Sequence, residues 1–202
     1  MGLDSGRNAR IAFTMEFRNF EPPTGQSQFF PMKVAPDDSG IYYHGTSRYF
    51  SETIEQQGFQ AEYRFVSDEE LHVLQKYRHH FTIAGTVYLP YLTGNKPITL
   101  AGTSVGALRY IDPSRKGGIA KTLLEDVRLL LSQTEVVAAD RGILTSIERR
   151  FEPIDREDGI VYAIRLSEGE SKRLTGCDPY HARMILPSAI LCAMVVPHGF
   201  RY

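Results

Sequence analysis

Ile41-Tyr42-Tyr43-His44-Gly45-Thr46-Ser47 sets one imidazole between an apolar run and three small residues. The pattern reads as a buried strand that carries His44 to its end, a tight turn, and a helix whose first backbone amides face the ring. His44 taken alone also fits a satisfied core or turn histidine. A second chemical pattern is Gly102-Thr103-Ser104-Val105-Gly106, which matches Gly-x-Ser-x-Gly and follows the strand-like run Pro97 to Ala101. A strained strand-to-helix turn of this kind exposes a serine hydroxyl as a nucleophile, with Asp158 available as a dyad partner. Ser104 otherwise reads as a helix cap. His79 and His80 raise the question of a metal, but neighbours on an α-helix point about 100° apart, and no metal site is expected.

Several elements must position these groups. Ser47 can accept from free amides at a helix start, Phe50 and Ile54 share one face, and Gly58 suits a left-handed closing residue. Alternating Ile11, Phe13, Met15 and Phe17 predict an early strand within Arg10 to Phe20, and the Pro- and Gly-rich residues 21–39 a loop. Ser67 with Glu70 is a capping box that starts a helix reaching about His80. Leu123, Leu124, Val127, Leu130 and Leu131 form the stripe of a helix over about Ile119 to Ser132, and Ile143 to Phe151 is a further helix. Late in the chain, His181 to Ile190 and Leu191 to Val196 read as strand, Pro, turn, strand.

The His44 segment resembles the first motif of the ADP-ribosyltransferase fold, the NAD-binding family that includes poly-ADP-ribose polymerases, diphtheria-type toxins and RNA 2'-phosphotransferases. Gly85 to Leu89 followed by Ser104 to Tyr110 resembles its second, which implies an apolar strand carrying Tyr88 and a small-residue helix ending in Tyr110. The resemblance implies an α+β fold, a mixed β-sheet cleft with peripheral helices, over a single domain 1–202. Residues 1–39 would then be an amino-terminal strand and loop extension, and 114–152 a helical insertion that covers the cleft or selects the acceptor. It also implies NAD as substrate, with His44 on the adenosine ribose, Gly45 on the nicotinamide carboxamide, and Thr46 and Ser104 nearby. Tyr88 and Tyr110 would flank the nicotinamide, whose positive ring suits an aromatic face. The family's late carboxylate is missing, because its position holds Ala182 or Arg183. Glu168 or Glu170 from a loop, or Arg183 as the binder of an anionic acceptor, are the candidates to compensate, and binding without turnover is the third option. The implied activity is transfer of ADP-ribose to a protein or nucleic acid with release of nicotinamide, as in a toxin or effector. A patatin-like hydrolase using Ser104 and Asp158, an inactive nucleotide- or protein-binding module, and an RNA 2'-phosphotransferase-like enzyme stand as alternatives.

With 202 residues, 42% hydrophobic and 23% charged, the composition fits one well-buried globular domain. A net charge of -1 supplies no global field toward nucleic acid or an anionic membrane. No apolar run is long enough to span a bilayer, and the polar start Met-Gly-Leu-Asp-Ser-Gly lacks a secretory signal, so a cytoplasmic or host-delivered protein is expected. Of Cys177 and Cys192, the latter lies in an apolar run and is expected as a small buried side chain.

Overall fold

The computed structural model describes residues 17–18, 40–112, 116–176 and 179–198. In chain order its elements are β1 (Phe17–Arg18), β2 (Ile41–Ser47), α1 (Ser51–Gln57), β3 (Phe59–Gln60), α2 (Asp68–Lys76), α3 (Ile83–Tyr88), β4 (Ile98–Leu100) and α4 (Ser104–Leu108). There follow α5 (Ile119–Ser132), α6 (Ala138–Phe151), α7 (Pro153–Arg156), β5 (Gly159–Arg165), α8 (Glu168–Ser171), β6 (Tyr180–Ala182), β7 (Met184–Ile185) and β8 (Ile190–Val196). The class is α+β. Of the early strand only Phe17–Arg18 falls among the described residues; the rest of it, the 21–39 loop and Cys177 lie outside them.

A four-stranded sheet in the order β1-β8-β5-β2 forms the centre, flanked by the pairs β3-β7 and β4-β6. A mixed sheet was the expectation, but every pairing between these strands is antiparallel. The connections explain it. Ser47 at the end of β2 lies opposite Gly159 at the start of β5, and Ile164 near the end of β5 lies opposite Ile190 at the start of β8. A strand that begins where its neighbour ends has to run back along it.

Strand alternation divides the core in two. Ile160, Tyr162 and Ile164 of β5 face a large cluster that also holds Phe50, Ile54, Leu74, Leu124, Ile147 and Phe151. Val161 and Ala163 face a smaller one with Ile41, Tyr43, Ala107, Leu108 and Met194. Both faces of β5 are therefore covered, which is why it reads as an unbroken apolar run. Because Ile119, Leu123, Leu124, Val127 and Leu130 belong to the large cluster, the 114–152 block is integral to the fold where it is described. Cys192 is free and buried, and burial pushes its thiol up to about 11.

Local signals account for most helices. Both halves of the Ser67–Glu70 capping box form at the start of α2, which stops at Lys76 and gives way to a 3₁₀ turn over Arg78–His80. Gly58 closes α1 with φ +74°, as its position predicted. Residues 85–89 correct the expectation of a strand, because α3 covers them up to Tyr88. Thr82 caps this helix by accepting the Gly85 N–H, and its own N–H donates to buried Asp126 of α5 at 3.0 Å. An N-cap anchored to a neighbouring helix outweighs the strand preference of Thr86, Val87 and Tyr88. Among the described residues no helix is long and apolar enough to cross a membrane.

Tyr162 is fully buried, yet its hydroxyl has no hydrogen-bond partner among the described residues, and burial raises its pKa. Tyr162→Phe is therefore expected to keep or raise stability, by up to about 1 kcal/mol in urea unfolding. A loss of more than about 1 kcal/mol would mean that the hydroxyl is partnered in solution.

Candidate functional site

Beyond Tyr43 the edge of β2 comes apart from β4, and that separation creates the site. Tyr43 and Ala101 exchange both backbone hydrogen bonds, at 2.9 and 2.8 Å. One step further along, the ladder stops, and the His44 ring occupies the gap with Nδ1 2.8 Å from the Thr99 carbonyl oxygen. A carbonyl only accepts, so Nδ1 carries the proton and neutral His44 presents Nε2 as an acceptor. Burial drives the His44 pKa down to about 4; the Thr99 contact opposes that shift, and Lys96 adds to it. Phe59 packs edge-on against the ring at 4.7 Å.

Gly45 follows on the opposite face of the strand. A Cβ there would sit 2.2 Å from the Ala107 carbonyl oxygen and 3.2 Å from the Tyr110 Cβ, so α4 packs directly on bare backbone. By the two-residue alternation of a strand, Gly45 turns its N–H and C=O toward the edge that Tyr43 uses. There they meet no backbone partner among the described residues.

The gap opens into a cavity of about 710 Å³. His44, Gly45 and Thr46 line it, as do Tyr88 from the end of α3 and Tyr110 just after α4. Tyr88 is 37% exposed, which leaves its ring at the rim. Gln57 and Gly58 close one side, while Gly118, Ile119 and Thr122 at the start of α5 close another. Thus His44, Gly45, Thr46, Tyr88 and Tyr110, five residues proposed from sequence, come together.

Ser104, Glu170 and Arg183 do not join them. Ser104 does not line the cavity, and the cap of α4 is Thr103, whose side chain accepts the Gly106 N–H. The carboxylate of Asp158 accepts the His198 N–H at 2.8 Å and pairs with Arg48 at 3.7 Å, and no hydrogen bond joins it to Ser104 among the described residues. Glu170 is committed to the capping box of α8, where it accepts the Ser167 N–H at 2.8 Å and its hydroxyl at 2.6 Å; those bonds lower its pKa. Glu168 is exposed and pairs with Lys172 at 2.5 Å. Exposed Arg183 spends its guanidinium on Glu62 and Asn95, at 3.1 and 3.0 Å. Both loop glutamates and Arg183 therefore lie off the cavity wall.

Two wall residues escaped the sequence reading. Lys96 precedes β4 and lines the cavity, and burial lowers its pKa to about 8. His181 on β6, opposite Thr99, also lines it, with a buried Nδ1 that has no partner among the described residues. Nothing local marks either one; His181 reaches the wall only through the β4-β6 pairing. Among the described lining residues there is no Asp or Glu, and Lys96 is the one Lys or Arg.

His79 and His80 depart from expectation as well. They sit in a 3₁₀ turn, not on a regular α-helix, and their ring centroids are 4.0 Å apart. Glu135 from the α5–α6 loop meets them, so one ligand atom from each of the three lies within 4.8 Å of the others. Neither histidine lines the cavity. In comparisons with known proteins, no family model matches the chain, and neither a curated protein nor a solved structure matches it.

Proposed function

We propose that this cavity binds an NAD-type dinucleotide in the manner of ADP-ribosyltransferases, and that the chain transfers ADP-ribose to a macromolecular acceptor with release of nicotinamide. The reading rests on one observation: His44, the open backbone of Gly45, Tyr88 and Tyr110 share a single cavity of about 710 Å³. That volume falls in the roughly 300–1,000 Å³ range of ligand pockets. In this reading Nε2 of neutral His44 accepts from a ribose hydroxyl. The Gly45 N–H and C=O offer one donor and one acceptor to a carboxamide, and the two tyrosines flank a cationic ring. Catalysis would come from holding the glycosidic bond toward the acceptor and excluding water.

A second reading, binding without turnover, is favoured by the absence of Asp and Glu from the described lining residues. Such a wall supplies no fixed negative charge to a developing oxocarbenium centre. Calorimetric titration with NAD, coupled to an assay for free nicotinamide in a lysate, separates the two. Binding with release supports the transferase, and binding of intact NAD supports the module. His44→Ala should abolish the heat of binding while the protein stays folded. NAD binding by that variant as tight as by the wild type would end the assignment.

A further inference from the structure

We infer that the Lys96 ammonium and the start of α5 form a phosphate-binding subsite of the cavity, which takes a phosphate ester or diphosphate of its ligand. The inference deepens the dinucleotide reading but does not need nicotinamide chemistry. The Lys96 amine reaches the first residues of α5: a Cβ placed on Gly118 would lie 3.3 Å from Nζ. Gly118, Ile119 and Thr122 line the same cavity as Lys96. The helix is 14 residues long, its N-cap Gly118 makes no side-chain cap, and its first turn has no acidic residue. Ala120 and Thr122 donate their N–H groups to the carbonyls of Gly117 and Gly118, whereas those of Ile119 and Lys121 find no acceptor among the described residues. Unmet amides at the positive end of a helix attract anions.

The ammonium is the independent indication. Among the described residues Lys96 has neither an ion-pair nor a hydrogen-bond partner at Nζ, although it is withdrawn from solvent enough for burial to lower its pKa. A half-buried, unpaired cation is costly unless something anionic joins it. The neighbouring cations are already committed, Lys121 to Asp155 and Glu125, and Lys116 to the Glu157 carbonyl. No carboxylate on the described cavity wall competes for Lys96. An oxyanion with several acceptor oxygens satisfies the ammonium and the free amides together.

The test is calorimetric titration of the wild type, Lys96→Met and Lys96→Arg with inorganic pyrophosphate, ADP and adenosine. Pyrophosphate and ADP are expected to bind the wild type, and Lys96→Met should weaken both by roughly 10- to 100-fold while adenosine binding stays unchanged. Lys96→Arg should restore most of the loss. Lys96→Met removes a half-buried, unpaired charge, so its thermal midpoint should not fall, and that midpoint serves as the folding control. Equal ADP affinity in the wild type and Lys96→Met, or no pyrophosphate binding to the wild type, overturns the subsite. Lys96-dependent pyrophosphate binding without any NAD binding would keep the subsite and end the NAD reading. NAD bound equally by the wild type and Lys96→Met would do the reverse.

Discussion

Alanine at position 45 is expected to destabilise the protein by about 3 kcal/mol, at the upper end for overpacking. The new methyl would sit 2.2 Å from the backbone oxygen of Ala107. A side chain could turn aside, but this neighbour is the backbone of α4. Relief therefore requires the helix to lift from β2, and with it Ala107 and Leu108, which pack among Ile41, Tyr43 and Val161. Lower entropy of the unfolded chain returns only about 0.5–1 kcal/mol. Urea unfolding of Gly45→Ala against the wild type measures the difference. Equal midpoints would mean that α4 does not rest on this strand as described.

The second large effect is a pH dependence of stability. The folded pKa of His44 is about 4, whereas an unperturbed histidine titrates near 6.5. As pH falls below 6.5 the unfolded chain takes the proton first, so stability is full above 6.5, declines between 6.5 and 4, and loses nothing further from this group below 4. A gap of that size corresponds to about 3 kcal/mol, and partial solvent access of the ring reduces it to about 2 kcal/mol. Carboxylates titrate in the same window, so the reading is a difference. Wild type should lose about 2 kcal/mol more than His44→Gln between pH 7 and pH 4, measured by denaturant unfolding at each pH. Parallel profiles would mean that the imidazole is open to water.

Where the chain carried its own instructions, the fold was legible. The capping box of α2, the apolar stripe of α5 and the closing glycine of α1 all act within a turn or two of chain, and each element formed where its signal lies. Residues 85–89 misled because Val87, Tyr88 and Leu89 suit a strand, while the decisive contact comes from Asp126, 44 residues away from Thr82. For the site, the strand-borne His44 and Gly45 were readable from local pattern. The tyrosines reached the cavity too, although Tyr88 arrives from a helix end and not from a strand. Lys96 and His181 were opaque because only the parting of β4 from β2 and the pairing of β4 with β6 bring them to the wall. Glu170 and Arg183 looked chemically apt as residue types, but Glu170 is held by its own helix cap and Arg183 by Glu62 and Asn95 from distant parts of the chain.

The alternation along β2 also makes correct strand alignment a condition for having a site at all. Slipping β2 by one residue against β5 would exchange the two sides of the strand. Either His44 or Thr46 would then be thrust at the Ala107 carbonyl, where only a hydrogen fits. The misaligned molecule would lose its imidazole from the cavity and collide with α4 in the same movement, so a chain that folds without that collision has already aimed its histidine.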